Sequence, residues 1–141
     1  MRALAILSLV GLMGLSGCST PSRMTHLRDQ VREFGQQLRW NMLAGAAAFV
    51  VPSERQAWLD GRLRTLPGIR MTNVAIIRIL SDGPQATKAQ VFVGYTWYRM
   101  SDMKVMSSQW LQNWNHSEDG WLLIDESRVT HKGLVQDVNW P

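Results

Sequence analysis

From Leu27 onward the apolar positions fall at helical spacing: Leu27, Val31, Phe34 and Leu38 recur at i, i+4, i+7 and i+11, with Arg28, Arg32, Glu33, Gln36 and Arg39 between them. The spacing predicts an amphipathic helix that starts at Thr25, whose hydroxyl is the expected N-cap. Asn41 to Gly45 interrupts the pattern, and AAAFVV (Ala46 to Val51) reads as a short buried turn or helix. That element stops at Val51-Pro52, because the residue before a proline avoids the helical region, and Pro52 suits the first turn of a further helix over Ser53 to Leu63. Pro67-Gly68 closes the helical half.

After Gly68 the period changes from helical to two. Strands are expected over Met71 to Leu80, Ala86 to Arg99, Lys104 to Asn115 and Trp121 to Ser127, separated by the turn sequences Ser81-Asp82-Gly83-Pro84, Ser101-Asp102 and Ser117 to Gly120. Helices followed by an antiparallel meander make an α+β fold, with N-terminal helices packed on a sheet of about four strands. With Ser101-Asp102 as the hairpin tip, Trp97 lies beside Met106, Tyr95 beside Ser108 and Val93 beside Trp110. One face then carries Val91, Val93, Tyr95, Trp97, Met106, Trp110 and Trp114, and the helices are expected to cover it.

The opposite face carries Phe92, Thr96, Tyr98, Val105 and Leu111 among Gln90, Gly94, Ser107, Gln109 and Asn113. Large apolar groups on a second face call for a cover. Two remain open here: the tail from Arg128 to Pro141, with Leu134, Val135, Val138 and Trp140, or a partner seated on Phe92, Tyr98, Val105 and Leu111. WLLI (Trp121 to Ile124) is apolar at both parities, which a sheet covered on one side alone does not need.

Upstream of the helix lies a different pattern. Met1-Arg2 is a minimal basic start, and Ala3 to Leu15 is an uncharged apolar run of signal-peptide length, too short to span a bilayer as a helix. It ends at Leu15-Ser16-Gly17-Cys18, which resembles the lipobox of bacterial lipoproteins. The resemblance implies cleavage between Gly17 and Cys18, a diacylglyceryl thioether on the Cys18 sulfur and acylation of the new N-terminus. Each buried methylene contributes about 0.8 kcal/mol, and more than one acyl chain is needed for stable attachment. Cys18 is the one cysteine of the 141 residues, so no disulfide can form within the chain. Ser19 follows where such families often place Asp for inner-membrane retention, and this favours the outer membrane, with the domain facing the periplasm. The expected organisation is a signal peptide over 1–17, a lipidated tether over 18–24, an α+β domain over 25–127 and a tail over 128–141.

The formal net charge of +4 is spread without a run of Lys or Arg, so no nucleic-acid footprint is present. Seven tryptophans in a domain without disulfides read as core material in preference to a sugar-binding platform. Three distant histidines and no spare cysteine give no metal set, and no motif for a phosphate or a cofactor occurs.

The stretches VREFGQQLRWNMLAGAAAFVVPSERQAWLDGRL and VFVGYTWYRMSDMKVMSSQWLQNWNHSEDGWLLID resemble the nuclear transport factor 2-like superfamily in their order of helices, aromatic strands, acidic-Gly turn and W-x-L strand. The resemblance covers about Thr25 to Ser127 and implies a cone of helices closed over a curved sheet. Its members include isomerases and dehydratases that work from a pocket in the cone, and non-catalytic modules that bind ligands or dimerise through the outer sheet face. Such an enzyme needs a positioned Asp or His in an apolar cavity. His116, Glu118 and Asp119 fall in a turn, His26 opens the first helix and His131 lies in the tail. Asp125 is the best candidate, since one register points it along the face of Trp110, against the simpler reading of a surface carboxylate. No catalytic set emerges. The expectation is therefore a non-enzymatic envelope lipoprotein that binds a protein partner or a second copy of itself, the alternative being a cone-pocket enzyme or carrier of a small apolar ligand.

Overall fold

The computed structural model describes residues 21–130 and the backbone of 135–136. The signal segment, Gly17, Cys18, His131, Leu134, Val138 and Trp140 lie outside the described residues. Three helices, α1 (Arg23–Arg39), α2 (Leu43–Ala47) and α3 (Arg55–Thr65), precede four long strands, β1 (Ile69–Ser81), β2 (Lys88–Arg99), β3 (Val105–Ser117) and β4 (Gly120–Val129), and a two-residue strand β5 (Val135–Gln136). The strands form one antiparallel meander in the order β1-β2-β3-β4-β5. The α+β reading and the order of its elements therefore hold.

Helix α1 starts two residues before the expected Thr25. Its N-cap is Ser22, whose hydroxyl accepts from the Thr25 amide at 3.2 Å, so Thr25 sits inside the first turn. The helix ends where Asn41 adopts φ 58°, a left-handed conformation that asparagine tolerates better than most residues. Helix α3 begins at Arg55, two residues later than Ser53, because Pro52 to Glu54 are used in a turn.

Leu27, Val31, Phe34 and Leu38 all face inward, as their spacing predicts, and pack with Leu43, Ala46 and Val50 on the sheet. The β2–β3 hairpin has the expected register: Trp97 opposes Met106, Tyr95 opposes Ser108 and Val93 opposes Trp110. Trp97, Trp110, Trp114 and Trp121 are at most 1% exposed, which makes them core. Phe34 meets the Trp114 ring edge-on at 5.9 Å and the tilted Trp58 ring at 5.8 Å.

Two backbone hydrogen bonds lace the helical layer to the sheet: Leu123 donates to the Phe49 carbonyl at 2.8 Å, and Val51 donates to Leu123 at 2.9 Å. At the other end the Trp121 amide donates to Gln30 Oε1 at 2.8 Å and its indole donates to the Arg23 carbonyl at 3.0 Å. The sheet is bulged at Thr72 and Ile77 in β1 and at Ile124 in β4. Each bulge bends its strand and reverses which residue parity faces inward. The described tail residues 135–136 pair with the outer edge of β4 opposite Val129 and Arg128, extending the sheet sideways.

The approach of α1 to β1 generates a paired prediction. A Cβ on Gly35 would lie 2.8 Å from Val74 Cγ1 and 3.0 Å from Val74 Cβ, whereas one on Gly61, in the middle of α3, meets nothing within 4 Å. Gly35→Ala is expected to destabilise by about 1–3 kcal/mol through overpacking. Gly61→Ala is expected to stabilise by about 0.5–1 kcal/mol through helix propensity. Urea unfolding of the two variants, followed by tryptophan fluorescence, reads the opposite signs.

Candidate functional site

Between α3 and the inner face of the sheet lies a charge cluster. Arg62 forms a close ion pair with Glu126 of β4, and the two side chains are 4% and 6% exposed. Helical spacing places Trp58 one turn before Arg62 on the inner face of α3, where it donates through Nε1 to Glu126 Oε1 at 3.0 Å. The guanidinium lies 5.0 Å from the Trp58 ring centroid and 5.9 Å from that of Trp110. From the sheet, the Tyr95 hydroxyl and Gln112 Nε2 each donate to Glu126 Oε2 at 3.3 Å. Gln112 Nε2 also donates to the Tyr95 oxygen at 2.8 Å, and Gln112 Oε1 accepts from Trp114 Nε1 at 3.1 Å.

A carboxylate offers about four lone-pair directions. Here Oε1 accepts from Trp58 and contacts Arg62, while Oε2 accepts from Tyr95 and Gln112, so all are engaged. Burial pulls the Arg62 pKa down to about 10, opposed by the charge of Tyr95 when ionised, and leaves the guanidinium protonated at neutral pH. Burial likewise pushes the Tyr95 phenol up to about 12, against the pull of Arg62 and of the Gln112 hydrogen bond. The arrangement can hold a cation, and it keeps Tyr95 a neutral donor.

This cluster contains none of the residues that the sequence offered as an acid or base. Asp125 is exposed on the outer face and accepts from Asn113 Nδ2 at 2.6 Å, so its placement beside Trp110 is corrected. The cause is the bulge at Ile124. Leu123 opposes Trp114 on the inner face, one extra residue intervenes, and Glu126 then comes inward opposite Gln112 in place of Asp125. Glu118 and Asp119 are exposed in the β3–β4 turn, and His26 is exposed on α1. His116 closes one end of the inner face, edge-on to Trp121 at 5.2 Å. Among the described residues no three His, Cys, Asp or Glu come together as a metal set.

Gln112 could have been found from the hairpin register, which puts it between Trp110 and Trp114 on the covered face. Arg62 carried a weaker signal in its spacing from Trp58. Glu126 carried none, because a single-residue bulge leaves no mark in a run as apolar as WLLI.

The four outer-face residues separate into two cross-strand pairs, Phe92 with Leu111 and Tyr98 with Val105. Gly94–Gln109 and Thr96–Ser107 lie between them. The Arg78 guanidinium lies 4.7 Å from the Phe92 ring centroid, whereas Val105 is 68% exposed and continues into Met100 and Met103 at the hairpin tip, 52% and 65% exposed.

No protein-family model matches the chain, and no curated protein matches it in sequence. Solved structures share its fold. A ketosteroid isomerase-like protein from Erwinia carotovora atroseptica SCRI1043 superposes with a TM-score of 0.59 at 10% identity, over 77% of this chain and 97% of that one. A domain of unknown function with a cystatin-like fold from Nostoc punctiforme PCC 73102 has a TM-score of 0.59 at 12% identity, over 81% and 82% of the two chains. A nuclear transport factor 2-like protein with a cystatin-like fold from Novosphingobium aromaticivorans has a TM-score of 0.54 at 11% identity, over 79% and 84%. At these identities the likeness shows the fold alone: this chain has a cystatin-like fold, as seen in nuclear transport factor 2-like proteins.

Two outcomes follow from the cluster. Glu126→Gln leaves a buried guanidinium without its counter-charge and is expected to cost about 3–5 kcal/mol, while the neighbouring Asp125→Asn stays within about 0.5 kcal/mol; urea denaturation compares them. Tyr95 binds its proton more tightly folded than unfolded, so its stabilising contribution is complete below pH 10 and is lost as pH rises through about 12. Of the chain's two tyrosines, Tyr95 should therefore ionise only near pH 12 or on unfolding, a late step in absorbance at 295 nm that Tyr95→Phe removes.

Proposed function

We propose that the chain is a lipid-anchored, non-enzymatic binding module of the bacterial cell envelope. It is held at the periplasmic face of the outer membrane by acyl chains on Cys18 and engages a protein partner or a second copy of itself through the outer face of its sheet. The observation that carries the non-enzymatic reading is the saturation of Glu126. A general base needs a free lone pair within reach of the proton it takes, and the acceptor directions of this carboxylate are taken up by Arg62, Trp58, Tyr95 and Gln112.

The outer face supports the binding role by contrast with the interior. Val105, Met100 and Met103 are the exposed apolar groups at the hairpin tip, with Tyr98 directly opposite Val105. Support for the anchor comes from Leu15-Ser16-Gly17-Cys18 after an apolar run of signal length, and from the absence of a second cysteine that could compete for the thiol. Among the described residues no helix is long and apolar enough to cross a membrane. Helix α1 begins five residues after Cys18, and its N-terminus is tied to the β1–β2 turn through Arg23, whose Nη1 donates to the Gln85 carbonyl at 2.8 Å. A short tether of this kind holds the domain near the surface to which Cys18 is attached.

In a Gram-negative host, metabolic labelling with an alkynyl fatty acid should mark the parent chain and not Cys18→Ser, and the variant should leave the membrane fraction. Equal labelling of the two chains would refute the anchor. For the partner, a photo-crosslinking residue at Tyr98 or Val105 in intact cells should give a discrete adduct that the same residue at exposed Gln56 on α3 does not. Identical adduct patterns from the two faces would refute the outer-face interface.

A further inference from the structure

The cluster under α3 surrounds a planar cation that the chain itself supplies, Arg62. A carboxylate and two aromatic faces converge on the Arg62 guanidinium, namely Glu126, Trp58 at 5.0 Å and Trp110 at 5.9 Å. This combination recognises guanidinium ions in general, because the charge is paired while the flat, weakly hydrated group stacks on the rings. The carboxylate is positioned by groups other than the cation: Trp58 Nε1, the Tyr95 hydroxyl and Gln112, which is itself held by Trp114. Tyr95, Trp110, Gln112, Trp114 and Glu126 come from β2, β3 and β4, so most of the cluster is built by the sheet.

Arg62 comes from a different layer. It is the one buried residue of α3, and no side chain caps the start of that helix. Replacing Arg62 and Glu126 together by apolar residues would avoid desolvating two charges, a cost of several kcal/mol per ion. Packing alone therefore gives no reason for an ion pair at this position.

We propose that the interior of the cone is a binding site for small guanidinium-class cations, which the chain in this structure fills with its own Arg62 carried on α3. Ligand binding and the docking of Arg62 are then mutually exclusive, and the Arg62 side chain must leave the cluster for a ligand to enter, while Trp58 stays in place on the same helix. The inference is independent of the anchor and of the outer sheet face.

Arg62→Ala vacates the receptor. In this variant methylguanidinium chloride at millimolar concentration should raise Tm by roughly 5–10 °C near saturation. The parent chain, whose site is filled, should show no such rise. Methylurea, of the same shape and uncharged, should leave the variant unmoved, and adding Glu126→Gln should abolish the response. A variant that does not respond, or that responds equally to methylurea or without the Glu126 carboxylate, overturns the proposal. Should Arg62→Ala yield no folded chain even when refolded with methylguanidinium, Arg62→Lys and Arg62→Gln decide the matter. A cation site predicts a higher Tm for the lysine variant, and a glutamine variant equal to it or higher overturns the proposal.

Discussion

The Glu126 carboxylate lies under α3 with 6% of its side chain exposed. A charge in that position costs several kcal/mol unless it is paired and its lone pairs are satisfied. Meeting that condition draws on every layer of the fold. Helix α3 supplies Arg62 and the Trp58 indole, β2 supplies the Tyr95 hydroxyl and β3 supplies Gln112, itself oriented by Trp114. The helix is thus fastened to the sheet by a directional contact. A sheet face made of tryptophan, tyrosine and valine would otherwise attract α3 without fixing its position.

The geometry that brings Glu126 inward originates in one extra residue. At Ile124 the β3–β4 ladder slips, and the inward parity changes from Trp121 and Leu123 to Glu126. The same region is where α2 and the chain after it are laced to β4 by the Phe49–Leu123 and Val51–Leu123 hydrogen bonds. A strand that binds the helical layer through its backbone on one side of the bulge, and through a carboxylate on the other, therefore joins the two halves of the domain. Asp125 meanwhile turns outward to Asn113, where water solvates it at little cost.

The two faces of the sheet differ in kind. Inside, aromatic rings and a neutralised ion pair leave little polar capacity unused; outside, apolar groups occur as two separated pairs among short polar residues, with the larger exposed apolar groups gathered at the β2–β3 tip. The described tail residues extend the edge of β4. In the proposed envelope role, a domain tethered a few residues from its lipid offers that outer face to a partner, while the interior remains closed by Arg62.

Much of this was legible along the chain. The helical spacing of Leu27, Val31, Phe34 and Leu38, the change of period after Gly68 and the hairpin tip at Ser101-Asp102 determine the α+β order, the register of the central strands and the identity of the aromatic core, because burial of a periodic apolar face is a local property of sequence. The lipobox-like Leu15-Ser16-Gly17-Cys18 is likewise a matter of sequence alone. The charge cluster was decided by tertiary structure. Arg62 and Glu126 are 64 positions apart, and their meeting depends on a bulge in a strand whose residues are apolar at both parities. Hydrophobic patterning could not choose between Asp125 and Glu126. The choice fell to the helix laid over that strand, which carries Arg62, the cation paired with the carboxylate that turns inward.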